Sequence, residues 1–439
     1  MNVITGRLNI IFAFFLLLFS INFLFFCGDA KVNENKTNNK TGSGQNGRDS
    51  LKETAENNQD INLALTEEQA LKLHYDAFVI DSHNDYLYQV FRRGADFGSK
   101  DNFTQSGLQR FREGGVDLQV FAVWIPSSEE RRAFSFAMEQ IDRLKGYEEK
   151  YPGDFRIALS YDDAVSIMQS RKLCGMIGIE DGAAIMNDID NVNKLYESGV
   201  RYIGLTWNKS NLIGTSSKDE SQGKSKKGLT KFGIDVVKRM EELGMMIDVS
   251  HCGEQTFRDI LENTKGPVIA SHSNCYSVNP HHRNLTDEQI KAIAGRGGVI
   301  MVNFLDDFID EDAKNKRTSG YDVKYAKELD ELYEKYGSDL IEFNKKRLEL
   351  IKTNPIKNGT SIDDLIEHID HIKKLAGTDY IGLGSDFDGG ITPPVDLYDA
   401  TCYPILTAKL ADKGYTETEI RNILGLNFLR VMKTTGKNN

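Results

Sequence analysis

From residue 70 onward, short apolar runs alternate with longer amphipathic stretches along the chain. The short runs are rich in β-branched residues and nearly continuous in apolarity, a pattern that is typical of strands buried on both faces of a parallel sheet. Eight runs have this pattern, at residues 78–83, 116–125, 174–180, 200–207, 245–251, 267–272, 298–304 and 380–386. The pattern therefore predicts eight parallel strands.

The stretches between these runs have the spacing of helices. Residues 232–244 and 363–376 each place apolar side chains at intervals of three and four residues, and the first stretch ends at Gly244, a common helix stop. Thr286 and Gln289 form a capping-box signature at the start of another helix. Strand and helix repeated eight times predict an α/β fold of the TIM-like (β/α)8 barrel type.

One segment departs from this alternation. Residues 306–360, between the seventh and eighth predicted strands, are densely charged and contain helix-like stretches. The plain interpretation is a charged helical insertion that lies in solvent. A lid over the site is the alternative, because the insertion leaves from the carboxyl end of the seventh strand.

The N-terminal region differs from the rest of the chain. Residues 9–26 are almost entirely apolar, and Arg7 is the only basic residue ahead of them, which indicates a secretory signal. The run stops at Cys27, and this position resembles a bacterial lipoprotein cleavage site. We therefore expect a signal peptide at residues 1–27, a lipid anchor at Cys27 and an exported protein of the bacterial cell envelope. A plain signal peptide and an uncleaved anchor are the alternatives.

A linker is predicted to follow the signal segment. Residues 28–65 are rich in Asn and poor in apolar side chains, so they cannot bury enough surface to offset the entropy of ordering. This segment is therefore expected to be disordered. The remaining residues, 66–439, have a length that suits a single barrel domain including the insertion at 306–360.

Composition and charge narrow the range of protein classes and partners that the chain can have. The chain of 439 residues is 40% hydrophobic and 27% charged, with a net charge of −11. These values are typical of a globular protein, and the acidic balance disfavours nucleic acid as a partner. Five cysteines in a chain of this length exclude a disulfide-stapled scaffold. Membrane contact is expected only through the lipid anchor.

Candidate metal ligands stand where the predicted strands end. They are imidazoles and carboxylates, at His83, Asp85, Glu180, His251, His272 and Asp386. Active sites of parallel barrels gather at the carboxyl ends of the strands, so these side chains are expected to converge. Burying several carboxylates together is costly without cations, and divalent ions remove that cost. The absence of cysteine from the set favours a catalytic site with nitrogen and oxygen ligands.

Five motifs resemble those of the membrane (renal) dipeptidases, zinc metallopeptidases of the amidohydrolase superfamily. The motifs are IDSHND at 80–85, GIEDG at 178–182, MIDVSHC at 246–252, PVIASHSNCYSVNPHHRN at 267–284 and GLGSDFDGG at 382–390. The resemblance implies two zinc ions that are bridged by Glu180. His83 and Asp85 would complete the first zinc site, and His251 and His272 would complete the second.

The resemblance also implies roles for residues that contact the substrate. Asp386 matches the catalytic aspartate beside the water that bridges the metals, and Arg283 matches the arginine that holds the free carboxylate of the substrate. The fourth strand of the family usually ends in Leu-Thr-His, whereas this chain has Leu205-Thr206-Trp207. An indole donates a hydrogen bond but accepts none. Trp207 is therefore expected to contact the substrate and to alter efficiency or substrate choice.

The resemblance implies a zinc-dependent dipeptidase that also accepts dipeptides with a C-terminal D-residue, and it allows a homodimer. Two alternatives stay open from the sequence. One is a related amidohydrolase that acts on a lactam or another small amide, and the other is a non-catalytic envelope lipoprotein that uses the barrel for binding. The complete set of candidate ligands favours the metallo-dipeptidase.

Overall fold

The computed structural model describes residues 65–436, with the exception of residue 102, residues 313–325 and residues 355–358. The predicted signal peptide with Cys27, and all of the predicted linker except Leu65, lie outside the described residues. Within the described part of the chain, no helix is both long and apolar enough to cross a bilayer.

Eight parallel strands close into a barrel. They are β1 Ile80–Asn84, β2 Leu118–Trp124, β4 Leu173–Glu180, β5 Val200–Gly204, β6 Met246–Asp248, β7 Val268–Ala270, β8 Val299–Val302 and β9 Ile381–Leu383. Neighbours in this order pair in parallel, and β9 pairs with β1 to complete the ring. Each strand overlaps one of the eight predicted runs, so the predicted (β/α)8 barrel is confirmed.

A further strand, β3 (Phe155–Ile157), lies beside the ring. It pairs with the first residues of β4, on the edge that β5 occupies from Ile177 onward. The hydrophobic pattern does not predict this strand, because three residues are too few to form a recognisable apolar run.

α-Helices cover the outside of the barrel. Those in the described residues are α1 Glu67–Asp76, α2 Tyr86–Arg93, α3 Leu108–Glu113, α4 Ala133–Lys150, α5 Tyr161–Gln169, α6 Asp190–Glu197, α7 Ser217–Ser221, α8 Lys231–Leu243, α9 Glu254–Asn263, α10 Asp287–Gly295, α11 Asp306–Ile309, α12 Ala326–Tyr336, α13 Leu340–Thr353, α14 Ile362–Ala376, α15 Tyr403–Asp412, α16 Glu417–Arg421 and α17 Asn427–Thr435. Gly244 ends α8 with a left-handed φ of 75°, and α10 begins with the predicted capping box. The predicted helices at 232–244 and 363–376 correspond to α8 and α14.

Helices α11, α12 and α13 form the described part of the charged insertion between β8 and β9. Helix α13 packs against α1 and the segment before α15 rather than standing free. The Asn344 side-chain amide donates to the Tyr75 hydroxyl at 3.0 Å, and the buried Arg347 guanidinium donates to the Thr401 carbonyl at 2.9 Å. These contacts favour the interpretation of α13 as a fixed structural insertion over that of a lid.

The interior of the barrel is layered along the strands. Apolar side chains fill the end near the strand N-termini: Ile80, Leu118, Val120, Cys174, Met176, Met246, Ile269, Val299 and Met301. Above them lies a group of buried hydroxyl and carboxyl side chains that we call the polar layer, made of Ser82, Tyr202, Asp248 and Ser271. The candidate ligands come next, toward the carboxyl ends of the strands. The polar layer therefore separates the apolar interior from the candidate site.

Candidate metal centre

Six imidazole and carboxyl side chains converge at the carboxyl ends of five strands. His83 and Asp85 belong to the end of β1, Glu180 ends β4, and His251, His272 and Asp386 follow β6, β7 and β9. Two overlapping groups have nitrogen and oxygen atoms that all lie within 4.8 Å of one another: His83 with Glu180 and His272, and His83 with Asp85 and Asp386. These groups contain five of the six predicted residues, and the sixth, His251, joins them through a 3.0 Å contact with Glu180.

Glu180 lies at the centre of this cluster. Its Oε1 is 3.0 Å from His251 Nε2 and 3.6 Å from His272 Nε2. Its Oε2 is 3.6 Å from His83 Nε2, which in turn lies 3.8 Å from Asp85 Oδ2. The two oxygens of one carboxyl group thus face different imidazoles, which is the arrangement that a bridging ligand requires.

The strands end earlier than the hydrophobic pattern predicts. β6 ends at Asp248 and β9 at Leu383, so His251 and Asp386 lie in the loops that follow. Both residues have left-handed backbones, with φ of 65° and 64°. A left-handed residue cannot continue an extended strand, and non-glycine residues adopt this conformation uncommonly. The backbone turns at these positions and directs the two side chains into the site.

The buried charges of the site suit a bound cation. Although burial lowers the pKa of an imidazole, the charges of Glu180 and Asp85 raise the pKa of His83 to about 10. Burial and the charge of Glu180 raise the pKa of Asp85 well above its ordinary value. His83 Nε2 is buried and has no hydrogen-bond partner among the described residues. A buried excess of carboxylate with an unpartnered imidazole nitrogen fits a divalent metal, and nitrogen and oxygen donors without thiolate suit zinc.

Asp386 is held beside the ligands by two hydrogen bonds. Its Oδ2 accepts from the side-chain amide of Asn303 at 3.0 Å, and its backbone N–H donates to the His83 carbonyl at 3.0 Å. Burial raises the pKa of Asp386 to about 6. A carboxyl group with a pKa near neutrality is suited to accept a proton and to release it again.

Arg283 is buried next to the ligands. Its guanidinium donates to the His272 carbonyl at 3.1 Å and to the Ser273 hydroxyl at 3.3 Å, and it lies 5.3 Å from the ring of Phe308. Its Nε has no hydrogen-bond partner among the described residues. The guanidinium therefore keeps donor capacity for an anion.

Trp207 lies at the edge of the site. Its ring centroid is 6.4 Å from that of His251 and 5.0 Å from that of Trp124, on which it packs edge to face. Trp124 is paired in register with Glu180, and its buried indole Nε1 has no partner among the described residues. The two indoles form an aromatic surface, called here the tryptophan wall, beside the ligands at the ends of β2 and β5, the strands that flank β4.

Two residues near the motifs have structural roles. Asp388 accepts from the backbone N–H of Gln105 at 2.7 Å and from the Ser106 hydroxyl, so it fastens the loop after β9. The ring of His281 accepts from the backbone N–H of Arg283 at 3.2 Å and so helps to place the arginine. Neither residue belongs to the groups of candidate ligands.

Four residues that the sequence pattern does not single out support the site. Tyr202, Asp248 and Ser271 lie in the polar layer beneath the ligands, and Asn303 binds Asp386. The signal that identifies them is a buried polar residue on the inward face of an otherwise apolar strand. Asp248 is a carboxylate that ends β6, whereas the other three are a phenol, a hydroxyl and an amide.

The fold and the cluster define a metal-dependent hydrolase of the barrel type. Residues 67–439 match the family described as membrane dipeptidase, peptidase family M19. The chain belongs to this family. It is a metallo-dipeptidase, a hydrolase of peptide bonds.

Individual relatives agree with this assignment. The chain is 32% identical over 378 residues to an uncharacterized dipeptidase of Schizosaccharomyces pombe, covering 82% of this chain and 80% of the relative. Among solved structures, a dipeptidase AC of peptidase family M19 is 25% identical, with a TM-score of 0.67 and coverage of 82% and 98% of the two chains. A metallopeptidase from Rhodobacter sphaeroides, liganded with a phosphinate mimic of the dipeptide L-Ala-D-Ala, is 24% identical, with a TM-score of 0.67 and coverage of 82% and 99%. At this identity the last structure supports the fold alone.

Proposed function

We propose that the protein is a zinc-dependent dipeptidase with two ions bridged by Glu180. The observation that carries this proposal is the position of Glu180, whose two oxygens face His251 and His272 on one side and His83 on the other. His83 and Asp85 would hold the first ion, and His251 and His272 the second. Bound zinc would lower the pKa of a coordinated water and polarise the scissile carbonyl.

The residues around the cluster supply binding and proton transfer. We propose that Asp386 accepts the proton of the attacking water and delivers it to the leaving amine, because its pKa is raised toward neutrality and it borders the ligands. The planar guanidinium of Arg283 would hold the free carboxylate of the substrate through its unused donors. This contact restricts the substrate to a short peptide with a free C-terminus.

Trp207 is proposed to contact the other end of the substrate. Arg283 lies beside His272, whereas the tryptophan wall lies at the ends of β2 and β5. A dipeptide whose carboxylate meets the arginine would direct its N-terminal residue toward the indoles. The wall favours an apolar side chain there, because aromatic surface gains from burial.

The enzyme is proposed to accept dipeptides whose C-terminal residue has the D configuration. Acceptance of a C-terminal D-residue is what the family resemblance implies, and the relative from Rhodobacter sphaeroides holds a mimic of L-Ala-D-Ala. The phosphinate mimic of this dipeptide is therefore the probe of choice for the site.

The deciding experiment joins metal analysis with hydrolysis. We expect two zinc ions per chain of the full-length protein, hydrolysis of L-Ala-D-Ala and L-Ala-L-Ala, loss of activity on chelation and recovery with zinc. The phosphinate mimic is expected to inhibit, and a C-terminally amidated dipeptide is expected to be a poor substrate. Preferential hydrolysis of a β-lactam or cyclic amide would favour the related amidohydrolase. Absence of both metal and hydrolysis would favour a binding lipoprotein.

We also propose export to the bacterial cell envelope with a lipid anchor at Cys27, because an apolar segment ends at this cysteine. Metabolic labelling with a fatty-acid analogue tests the lipid anchor, and incorporation is expected to disappear in Cys27→Ser.

A homodimer is the proposed assembly, and sedimentation equilibrium on the detergent-solubilised protein measures the oligomeric state. A monomer at micromolar concentration would contradict that assembly.

A further inference from the structure

The polar layer lies directly beneath the candidate ligands and contacts two of them. The Ser271 hydroxyl is 2.8 Å from His272 Nδ1, and the Tyr202 hydroxyl is 3.0 Å from His83 Nδ1. All four residues are fully or almost fully buried. In each contact the imidazole uses Nδ1, so Nε2 is the nitrogen that faces Glu180.

The Ser271 hydroxyl has only one proton, and this proton is used in a hydrogen bond to Asp248. The hydroxyl donates to Asp248 Oδ2 at 2.6 Å, and an ionised carboxylate can only accept hydrogen bonds. Asp248 is held in place by the backbone N–H groups of Ser250 at 3.0 Å and Ser271 at 2.9 Å, both on Oδ1. With its proton committed, the Ser271 oxygen can only accept from His272. Nδ1 of His272 therefore carries the ring proton, and Nε2 keeps its lone pair.

His83 Nδ1 also contacts a hydroxyl group, that of Tyr202. The Tyr202 hydroxyl donates to the backbone carbonyl of Ser82 at 3.0 Å, and a carbonyl is an obligatory acceptor. The tyrosine oxygen is then left to accept from His83 Nδ1–H. The two histidines come from β1 and from the loop after β7, yet each meets a hydroxyl whose proton is already committed to a neighbouring acceptor.

We propose that Ser271, through Asp248, and Tyr202, through the Ser82 carbonyl, are positioning residues that hold a proton on Nδ1 of His272 and of His83 and so direct their Nε2 atoms to the metal ions. This inference rests on the metal centre of the proposed function. Orienting partners of this kind matter because a ligand imidazole in the wrong tautomer presents N–H instead of a lone pair to the ion.

The test measures zinc binding and the tautomers of the full-length protein. The variants are Ser271→Ala and Tyr202→Phe, which remove a hydroxyl, and Ser271→Thr, which retains it. Zinc affinity is measured by competition with a chromophoric chelator, without substrate. Loss of an orienting partner is expected to weaken zinc binding about 10- to 100-fold in Ser271→Ala and Tyr202→Phe. Ser271→Thr is expected to retain the wild-type affinity within a few-fold.

Long-range proton–nitrogen correlation spectra of histidine-labelled protein give the second measurement. The signals of His83 and His272 are assigned from the His83→Gln and His272→Gln variants. We expect Ser271→Ala to change the nitrogen shifts of His272 while those of His83 stay as in the wild type, and Tyr202→Phe to do the reverse. A general loss of packing would disturb both rings together, so the selective pattern identifies positioning.

Tyr75→Phe is the matched control for the tyrosine variant. The Tyr75 hydroxyl donates to the Glu113 carbonyl at 2.9 Å, away from the metal centre, so zinc affinity is expected to stay unchanged. Wild-type affinity and unchanged tautomers in both Ser271→Ala and Tyr202→Phe would overturn the inference and leave the metal centre intact. Wild-type protein that takes up no divalent metal would overturn the proposed function first, and this inference with it.

Discussion

Asp386 combines burial, a left-handed backbone and a side-chain contact with Asn303. Asp386→Asn removes the proton acceptor and keeps the size of the side chain. We expect kcat to fall by about 100-fold or more, because general acid–base groups contribute on that order, while zinc content stays near the wild-type value. Steady-state kinetics with metal analysis on the same sample measures both. Asp388→Asn is the control, since its carboxyl group only fastens a loop: thermal stability is expected to decrease, and kcat to change little. Equal losses of kcat in the two variants would remove Asp386 from proton transfer.

Arg283 is expected to determine how tightly the enzyme binds a dipeptide with a free carboxylate. Its buried guanidinium is only partly used by Ser273 and the His272 carbonyl. A hydrogen bond to a charged group is worth about 1.5–3 kcal/mol, so Arg283→Ala is expected to raise KM for a free dipeptide by roughly 10- to 100-fold. For the C-terminally amidated dipeptide the variant and the wild type should differ much less. An unchanged KM for the free dipeptide would place the carboxylate elsewhere.

At the scale of elements, the strands of the barrel could be predicted because their buried faces make them continuously apolar. The six side chains of the cluster could be located as well, since the carboxyl ends of parallel strands meet at one end of a barrel. The left-handed backbone at His251 and Asp386 could not be predicted, because neither position is a glycine, the residue that adopts this conformation most readily. β3 could not be predicted either, because three residues are too few to form a recognisable hydrophobic pattern.

The strand β4 could be predicted from its apolar run, but the reason for the glycine at position 178 could not be predicted. Gly178 is paired in register with Tyr202 on β5, and a Cβ at this glycine would lie 2.1 Å from Cζ of the tyrosine ring. The glycine thus leaves room for the ring that reaches His83. A glycine within a strand signals a close approach of another group, but only the structure identifies that group.

Gly178→Ala tests this relation between two elements. The added methyl group must displace the Tyr202 ring, and we expect a loss of about 1–3 kcal/mol in the free energy of unfolding together with weaker zinc binding. Gly175→Ala is the control on the same strand, because its Cβ would lie 2.5 Å from the ring of Phe155. That variant is expected to lose stability without losing zinc affinity. Equal zinc affinity in the two variants would argue against the role of Gly178.

At the scale of the whole molecule, two buried histidines outside the group of candidate ligands join separate elements of the fold. His74 Nε2 donates to the Gly114 carbonyl at 2.8 Å, and its Nδ1 accepts from the Thr407 hydroxyl at 2.8 Å. His368 Nδ1 accepts from the backbone N–H of Cys275 at 3.1 Å. An imidazole nitrogen that accepts a hydrogen bond carries no proton, so both rings are neutral in the folded protein.

These neutral rings predict how stability depends on pH. Burial lowers the pKa of His74 to about 4 and that of His368 to about 4, whereas the unfolded chain keeps a histidine pKa of about 6.5. Between these values the unfolded chain binds more protons, so the contribution of each ring to the free energy of unfolding is complete above about pH 6.5 and decreases as the pH falls toward 4. The loss is of the order of 3 kcal/mol for each ring.

Burial raises the pKa of Asp117 to about 7, and this carboxyl group changes stability with pH in the opposite direction, so the comparison must be made between variants. Urea unfolding of the chelator-treated protein at pH 7 and pH 5 is expected to show a smaller decrease for His74→Gln than for the wild type, since glutamine does not titrate. The same decrease in both proteins would show that His74 does not control acid stability.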